Sequence, residues 1–131
     1  MIGRLRQNKL SAWGFSSSPE VKSIFDKTVQ NLSLELVLLD QISNNSDHWP
    51  FYKANIPIGM FHTGLHKDYH KTKDTSDKIN YQGIAQIEAL TKELLIKIDE
   101  LDKITFAPLP LGLFLDEDSV GEGCAVDIHS L

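Results

Sequence analysis

Two stretches of the chain carry apolar residues at every third or fourth position, the spacing of a helix with one buried face. The first stretch covers residues 16–32, and its apolar face consists of Val21, Ile24, Phe25, Thr28, Val29 and Leu32. Ser18 is a preferred N-cap residue, Pro19 suits the first helical position, and Glu20 suits the positive end of the helix dipole. The pattern therefore predicts a helix that begins just after Ser18.

The second helical stretch is longer and covers residues 81–101. Its repeating apolar positions are Ile84, Ile87, Leu90, Leu94, Ile98 and Leu101. Asn80 precedes the stretch and is a natural N-cap. A third, short helix is predicted through Tyr52 and Ala54, with Ser46 as its cap.

Short apolar runs between these helices predict strands. Residues 34–39 predict a buried strand, and residues 56–61 predict a central one. Residues 1–5 and 9–15 flank a polar triplet and predict a short hairpin or a pair of edge strands. Strands that alternate with helices predict a mixed α/β structure in which helices cover a sheet. The polar loop at 62–80 follows a strand end, where such sheets place ligand sites.

The composition predicts one globular domain of ordinary size. The chain has 131 residues, is 41% hydrophobic and 24% charged, and carries a net charge of −5. It lacks the excess of Lys and Arg that neutralises phosphates, so neither a nucleic-acid nor an anionic-membrane partner is predicted. Its apolar runs are shorter than a membrane span, and its first ten residues lack the apolar core of a signal peptide. No cellular location is predicted.

The character of the sequence changes after residue 103. Prolines and an acidic, glycine-containing stretch follow, so we predict a main region at 1–103 and a separate linker and tail at 104–131. The single cysteine, Cys124, lies in an apolar run and has no cysteine partner, so it is interpreted as a buried small hydrophobe.

The polar loop contains histidines that raise the question of a metal site. His66 and His70 are four residues apart and would share a face on a helix, as zinc-binding pairs do. Gly64 precedes the pair and no apolar stripe follows it, so a helix is disfavoured and a solvated loop is the alternative. A two-zinc site needs about five ligands, one of them a bridging carboxylate. The loop on its own cannot supply such a set.

The motif string around this loop resembles a known family. Residues 46–87, SDHWPFYKANIPIGMFHTGLHKDYHKTKDTSDKINYQGIAQI, are similar to the C-terminal part of the dizinc aminopeptidases, family twenty-eight of the metallopeptidases, which includes aminopeptidase Y and bacterial leucyl aminopeptidases. The family pattern there runs SDH-x-x-F, G-I-P, F-x-T-G-x-H-x-D-Y-H and D-T-x-D-x-I. Residues 1–22 resemble the segment after the family's N-M-D motif, and the resemblance covers about residues 1–100.

The resemblance implies part of an α/β/α sandwich that binds two zinc ions and removes the N-terminal residue from a peptide substrate by hydrolysis. His70 matches the last zinc ligand of the motif. Tyr69 matches a tyrosine that donates a hydrogen bond to the oxyanion, a suitable role for a phenol. The other matched residues are expected to surround the ligands or line the substrate pocket: Ser46, Asp47, His48, His66, Asp74 and Thr75. His48 on its own pattern favours a hydrogen-bonded structural histidine over a metal ligand.

The sequence departs from the family in lacking the upstream ligands. It has no adjacent Glu-Glu pair and no N-M-D motif, and its one His-x-Asp triplet, at 66–68, is in a different place. We therefore expect a C-terminal segment that is inactive alone and binds zinc weakly at most. A catalytically dead remnant that serves as a small interaction module is the alternative. A glutaminyl-cyclase-like relative is disfavoured by Tyr69 and Ser46, since the cyclases have Trp and Asp there.

Two further expectations concern the ends of the chain. The tail resembles the first strands of a PDZ-like domain, with an irregular tail as the alternative. Near the other end, the apolar face formed by Ile2, Leu5, Leu10 and Trp13 is expected to be under-covered. An uncovered sheet edge there would favour self-association.

Overall fold

A computed structural model of the protein describes residues 1–111, the side chain of Asn31 excepted. The predictions for Cys124 and for the PDZ-like tail lie outside the described residues. The described chain contains three strands and three α-helices, joined by loops and single 3-10 turns. Its helices include none that is long and apolar enough to cross a membrane.

The three strands form one mixed sheet, as the α/β prediction requires. They are β1 (Lys9–Trp13), β2 (Glu35–Leu39) and β3 (Met60–His62), in the order β2-β1-β3. Strand β1 runs parallel to β2, with Leu10 opposite Leu36, and antiparallel to β3, with Ala12 opposite Phe61. The fold is therefore a partial mixed sheet flanked by helices.

The roles of the individual strands differ from the prediction. Strand β1 is central rather than at an edge, and the predicted hairpin is reduced to a single bridge between Arg6 and Lys9. Gln7 and Asn8 both have positive φ, at 51° and 57°, as in the tight turns that favour close strand pairing. The predicted central strand at 56–61 contributes β3 only from residue 60, at an edge of the described sheet. Strand β2 is also an edge, and Leu38 is 44% exposed rather than buried.

The three helices are α1 (Pro19–Thr28), α2 (His48–Lys53) and α3 (Tyr81–Asp99). Both long helices begin where their capping residues predict. The Val21 amide donates to the Ser18 hydroxyl (3.4 Å), and the Gly83 amide donates to the Asn80 side chain (2.8 Å). The predicted cap of the short helix is wrong, since α2 has Asp47 at its N-cap position and no side-chain capping bond.

One apolar cluster joins both long helices to the sheet. Leu10 and Ala12 lie on the same face of β1, because side chains two residues apart in a strand point the same way. That face packs with Phe25 of α1 and with Ile87 and Leu90 of α3, all of them buried.

The prediction of an under-covered face near the start of the chain is wrong. Leu5, Leu10 and Trp13 are buried, and Ile2 is half-buried against the core. Helix α3 provides the cover at Leu5, and the approach is close. A Cβ placed on Gly83 would lie 2.7 Å from the Cβ of Leu5, so only glycine fits the first turn of α3 without a shift.

The first residues after position 103 are hydrogen-bonded to the rest of the fold. The Thr105 hydroxyl donates to the Glu20 carboxylate (2.7 Å), at the start of α1. The Ala107 amide donates to the Ser17 carbonyl (2.8 Å), and the Ile42 amide donates to the Pro110 carbonyl (3.0 Å). The division of the chain at residue 103 stays a prediction, but residues 104–111 lie along the main region.

Candidate functional site

The loop that follows β3 is built from consecutive tight turns. It leaves the strand at His62 and reaches α3 at Tyr81, and the only regular element within it is a 3-10 turn at Ser76–Lys78. Three backbone hydrogen bonds shape its central part: Tyr69 N to His66 O (2.9 Å), Lys71 N to Asp68 O (2.9 Å) and Asp74 N to Lys71 O (3.0 Å). The absence of a helix here agrees with the sequence prediction, so His66 and His70 do not share a helical face.

Tyr69 and His70 occupy the middle of these turns. His70 is exposed and has φ 54°, a left-handed conformation that few residues other than glycine adopt. Tyr69 is half-buried, and its ring centroid lies 4.2 Å from that of His70, with the rings nearly perpendicular. The His66 and His62 rings lie 5.9 Å and 6.3 Å from the Tyr69 ring. An accessible imidazole thus lies beside a phenol that is surrounded by aromatic groups.

His66 has a different environment from His70. Its side chain is only 4% exposed, and its Nε2 lies 3.7 Å from Asp74 Oδ2. Its Nδ1 is buried and has no hydrogen-bond partner among the residues that the structure describes. Burial, followed by the charge of Arg4, lowers the pKa of His66 below its ordinary value. Its surroundings therefore favour the neutral form of the ring.

Asp74 and Thr75 lie on the return side of the loop. Asp74 pairs with the Arg4 guanidinium. The Thr75 side chain hydrogen-bonds Asp77 and is the main cause that lowers the pKa of that carboxyl group. Asp74, Thr75 and His66 together line a cleft of about 250 Å³ between this loop and the first residues of the chain.

The sequence did not predict the cations that hold the loop. Asp68 is buried, and its carboxylate contacts Lys78 (3.0 Å) and Arg4 (3.5 Å). The bond from Lys78 is the largest cause that lowers the pKa of Asp68. Asp68 is the carboxylate of the loop's His-x-Asp triplet, and within this fold it forms ion pairs with two cations. A buried carboxylate needs cationic or hydrogen-bonding partners, but the burial of Asp68 is known only from the fold, so no sequence signal identified them.

The segment Ser46–His48 forms the entry to α2. Ser46 and Asp47 are exposed, while His48 is half-buried. His48 Nε2 donates to the Ser43 carbonyl (2.7 Å), which agrees with the structural interpretation of that histidine. Within residues 1–111, no direct hydrogen bond or ring contact joins this segment to Tyr69 or His70. The predicted proximity of the two segments at one site stays a prediction.

The described residues do not form a complete metal centre. Among residues 1–111 there is no group of three or more His, Cys, Asp or Glu side chains placed to hold one ion. A catalytic zinc takes about three protein ligands in addition to water. The described residues alone therefore do not hold a catalytic zinc ion.

Comparison with known proteins identifies one family. The family model described as Peptidase family M28 matches residues 1–95, which includes β1, the whole loop after β3 and most of α3. No curated protein and no solved structure matches the chain.

Proposed function

The chain belongs to peptidase family M28, and from this we propose that it supplies part of the active site of a zinc-dependent aminopeptidase. The substrate is a peptide, and the reaction is hydrolytic removal of its N-terminal residue. In this proposal His70 is a zinc ligand and Tyr69 donates a hydrogen bond to the oxyanion. Ser46, Asp47 and His48 line the substrate pocket, while His66, Asp74 and Thr75 shape the loop.

The observation that carries this assignment is the geometry of Tyr69 and His70. His70 is exposed and its imidazole is therefore accessible to a metal ion, whereas the side chain of His66, four residues earlier, is only 4% exposed. Tyr69 is half-buried beside it, and its ring is contacted by the His66 and His70 rings. A preorganised phenol stabilises developing negative charge better than a mobile one, because it needs no reorganisation during the reaction.

The chemistry of zinc in such a site would be to polarise the scissile carbonyl and to lower the pKa of a bound water. This chain contributes one ligand and one oxyanion donor, and its sequence contains no adjacent pair of Glu residues to provide the base. The carboxylate of its one His-x-Asp triplet is already paired with Lys78 and Arg4. We therefore propose that the 131-residue chain has no turnover by itself and binds zinc weakly at most.

The test is complementation with a polypeptide that carries the N-terminal half of an M28 catalytic domain. Hydrolysis of leucine p-nitroanilide should appear only when both polypeptides and zinc are present. His70→Ala should abolish this activity and lower the zinc content. Tyr69→Phe should lower kcat by about 10²-fold, the scale of a lost oxyanion donor. Tyr81→Phe, at an exposed tyrosine at the start of α3, is the matched control and should have no effect.

Three results would contradict the proposal. Hydrolysis by the isolated chain well above that of His70→Ala, with stoichiometric zinc, would show that the chain is a complete enzyme. Equal activity of Tyr69→Phe and Tyr81→Phe would remove Tyr69 from the mechanism. Cyclisation of an N-terminal glutaminyl peptide in place of hydrolysis would favour the cyclase alternative.

A further inference from the structure

The Arg4 side chain contacts two carboxylates that bracket Tyr69 and His70 in the sequence, Asp68 on one side and Asp74 on the other. We infer that Arg4 is a positioning residue, which keeps Tyr69 and His70 in their working geometry by holding both flanks of their turn. The inference rests on the proposed function for the meaning of that geometry. The contacts themselves do not depend on it.

The geometry favours a strong clamp over an ordinary surface ion pair. The Arg4 side chain is 18% exposed and that of Asp68 is 7% exposed, so water and salt screen this pair less than a fully exposed one. One guanidinium nitrogen bonds Asp74 and the other lies 3.5 Å from Asp68. The planar fork of arginine can hold two oxygens at fixed separation, which a lysine cannot do.

The segment that carries Arg4 also holds the ends of the loop. The Thr63 amide donates to the Met1 carbonyl (3.2 Å), at the beginning of the loop. The Asn80 amide donates to the Gly3 carbonyl (2.9 Å), at its end. Arg6 donates to the Leu65 carbonyl (2.6 Å). Residues 1–6 therefore hold the loop at both ends, and Arg4 adds a contact at its centre beside that of Lys78.

The conformation of His70 explains why a central contact is needed. A left-handed φ at a residue other than glycine is costly and persists only where the surroundings impose it. The hydrogen bonds from Tyr69 N and Lys71 N lie on either side of His70 and impose the turn. The second of these bonds ends on the carbonyl of Asp68, whose carboxylate Arg4 contacts. Without Arg4, Asp74 loses its cationic partner and Asp68 keeps only Lys78, so the turn is held less firmly and His70 can relax to an ordinary φ.

The experiment compares Arg4→Met and Arg4→Lys with the wild-type 131-residue chain, free of metal. Lys22→Met is the matched control, because Lys22 forms an ion pair with Asp26 inside α1 (2.6 Å) and its loss removes the same charge. Hydrogen exchange is measured at the amides of Tyr69, Lys71 and Asp74, with the amides of β1 as the reference for global opening. The ring-proton shifts of His70, which depend on the Tyr69 ring beside it, are measured by NMR.

Arg4→Met should speed exchange of the three loop amides by about tenfold relative to the β1 amides, which is local opening of the turn. It should also move the His70 ring signals. Arg4→Lys should give a smaller change of both, and Lys22→Met should give none. If Arg4→Met does not fold, Asp74→Asn removes one end of the clamp at a more exposed position and should open the turn in the same way.

Two results would overturn the clamp. The first is unchanged hydrogen exchange in the loop and unchanged His70 signals in Arg4→Met or Asp74→Asn. The second is an equal acceleration of exchange at the loop and β1 amides, which would show a purely global effect. These readouts need neither zinc nor substrate. A turn that opens as expected, together with a complemented wild-type chain that hydrolyses nothing, would overturn the proposed peptidase function and support the clamp. An active complemented enzyme with an unresponsive turn would overturn the clamp alone.

Discussion

Replacing Gly83 by alanine sets two physical effects of opposite sign against each other. Gly83 lies in the first turn of α3, where its amide bonds the capping side chain of Asn80. Alanine is a better helix former than glycine by up to about 1 kcal/mol, so helix propensity alone predicts stabilisation. The added Cβ, however, would lie 2.7 Å from Leu5 Cβ and 2.9 Å from Leu5 Cδ2. Leu5 is itself buried, so it has little space into which to move.

The clash should decide the sign. Forcing an extra methyl group into a packed site costs about 1–3 kcal/mol, and the Cβ of Leu5 cannot move unless its backbone moves. The propensity gain offsets part of that cost. We therefore expect Gly83→Ala to lower the free energy of unfolding by up to about 2 kcal/mol. For a domain of this size that corresponds to a decrease in Tm of several degrees.

Urea denaturation of the 131-residue chain measures this change. Gln82→Ala is the matched control, because it introduces alanine at the adjacent, exposed position of the same helical turn. Stabilisation of Gly83→Ala by the amount that propensity predicts, or an effect equal to that of Gln82→Ala, would refute the packing argument. Leu5 immediately follows Arg4, so the same variant should also speed hydrogen exchange in the loop after β3.

Three other predictions follow from the fold. Phe25→Ala should lower the free energy of unfolding by about 3–5 kcal/mol in urea denaturation, because Phe25 is fully buried and stacks on Phe15 at 4.2 Å; a loss below 1 kcal/mol would place it outside the core. Hydrogen bonds from Thr105, and then from Ser18, lower the pKa of Glu20 to about 2 from its ordinary 4.5. Because the folded state binds this proton more weakly than the unfolded chain, the contribution of Glu20 to stability is present above about pH 4.5 and is lost as the pH falls towards 2. Thr105→Val should make the stability less dependent on pH in that window, as seen in urea midpoints, and an unchanged pH profile would contradict the assignment. We also propose that the chain self-associates through the exposed edge strand β2. Leu38→Lys, at a residue that is 44% exposed, should weaken association in sedimentation velocity, whereas Leu95→Lys on the exposed face of α3 should not. A monomer at every concentration would exclude this interface.

Local chemistry explains which elements were predictable from the sequence. The two long helices begin just after Ser18 and Asn80 as expected, because a capping side chain bonds an amide only three residues away and needs no distant partner. The apolar repeats identified their buried faces for the same reason. The motif string around Tyr69 and His70 was also readable in sequence, and the family match over residues 1–95 agrees with it.

The tertiary structure decided the features that depend on distant partners. Strand β1 is central because it pairs with β2 on one side and with β3 on the other, and both partners follow it by more than twenty residues. A pattern of alternating residues reports which face of a strand is buried, but it does not report which strands pair with it.

The same reason applies to the loop that carries the candidate site. His66 and His70 have the same side chain and similar neighbours in sequence, yet the side chain of His66 is buried and His70 is exposed. The difference comes from the first six residues of the chain, which lie against one side of the loop and place Arg4 between Asp68 and Asp74, more than sixty residues away along the chain. Charge pairing at that separation has no periodic signal in the sequence, so only the folded chain shows which cation meets which carboxylate.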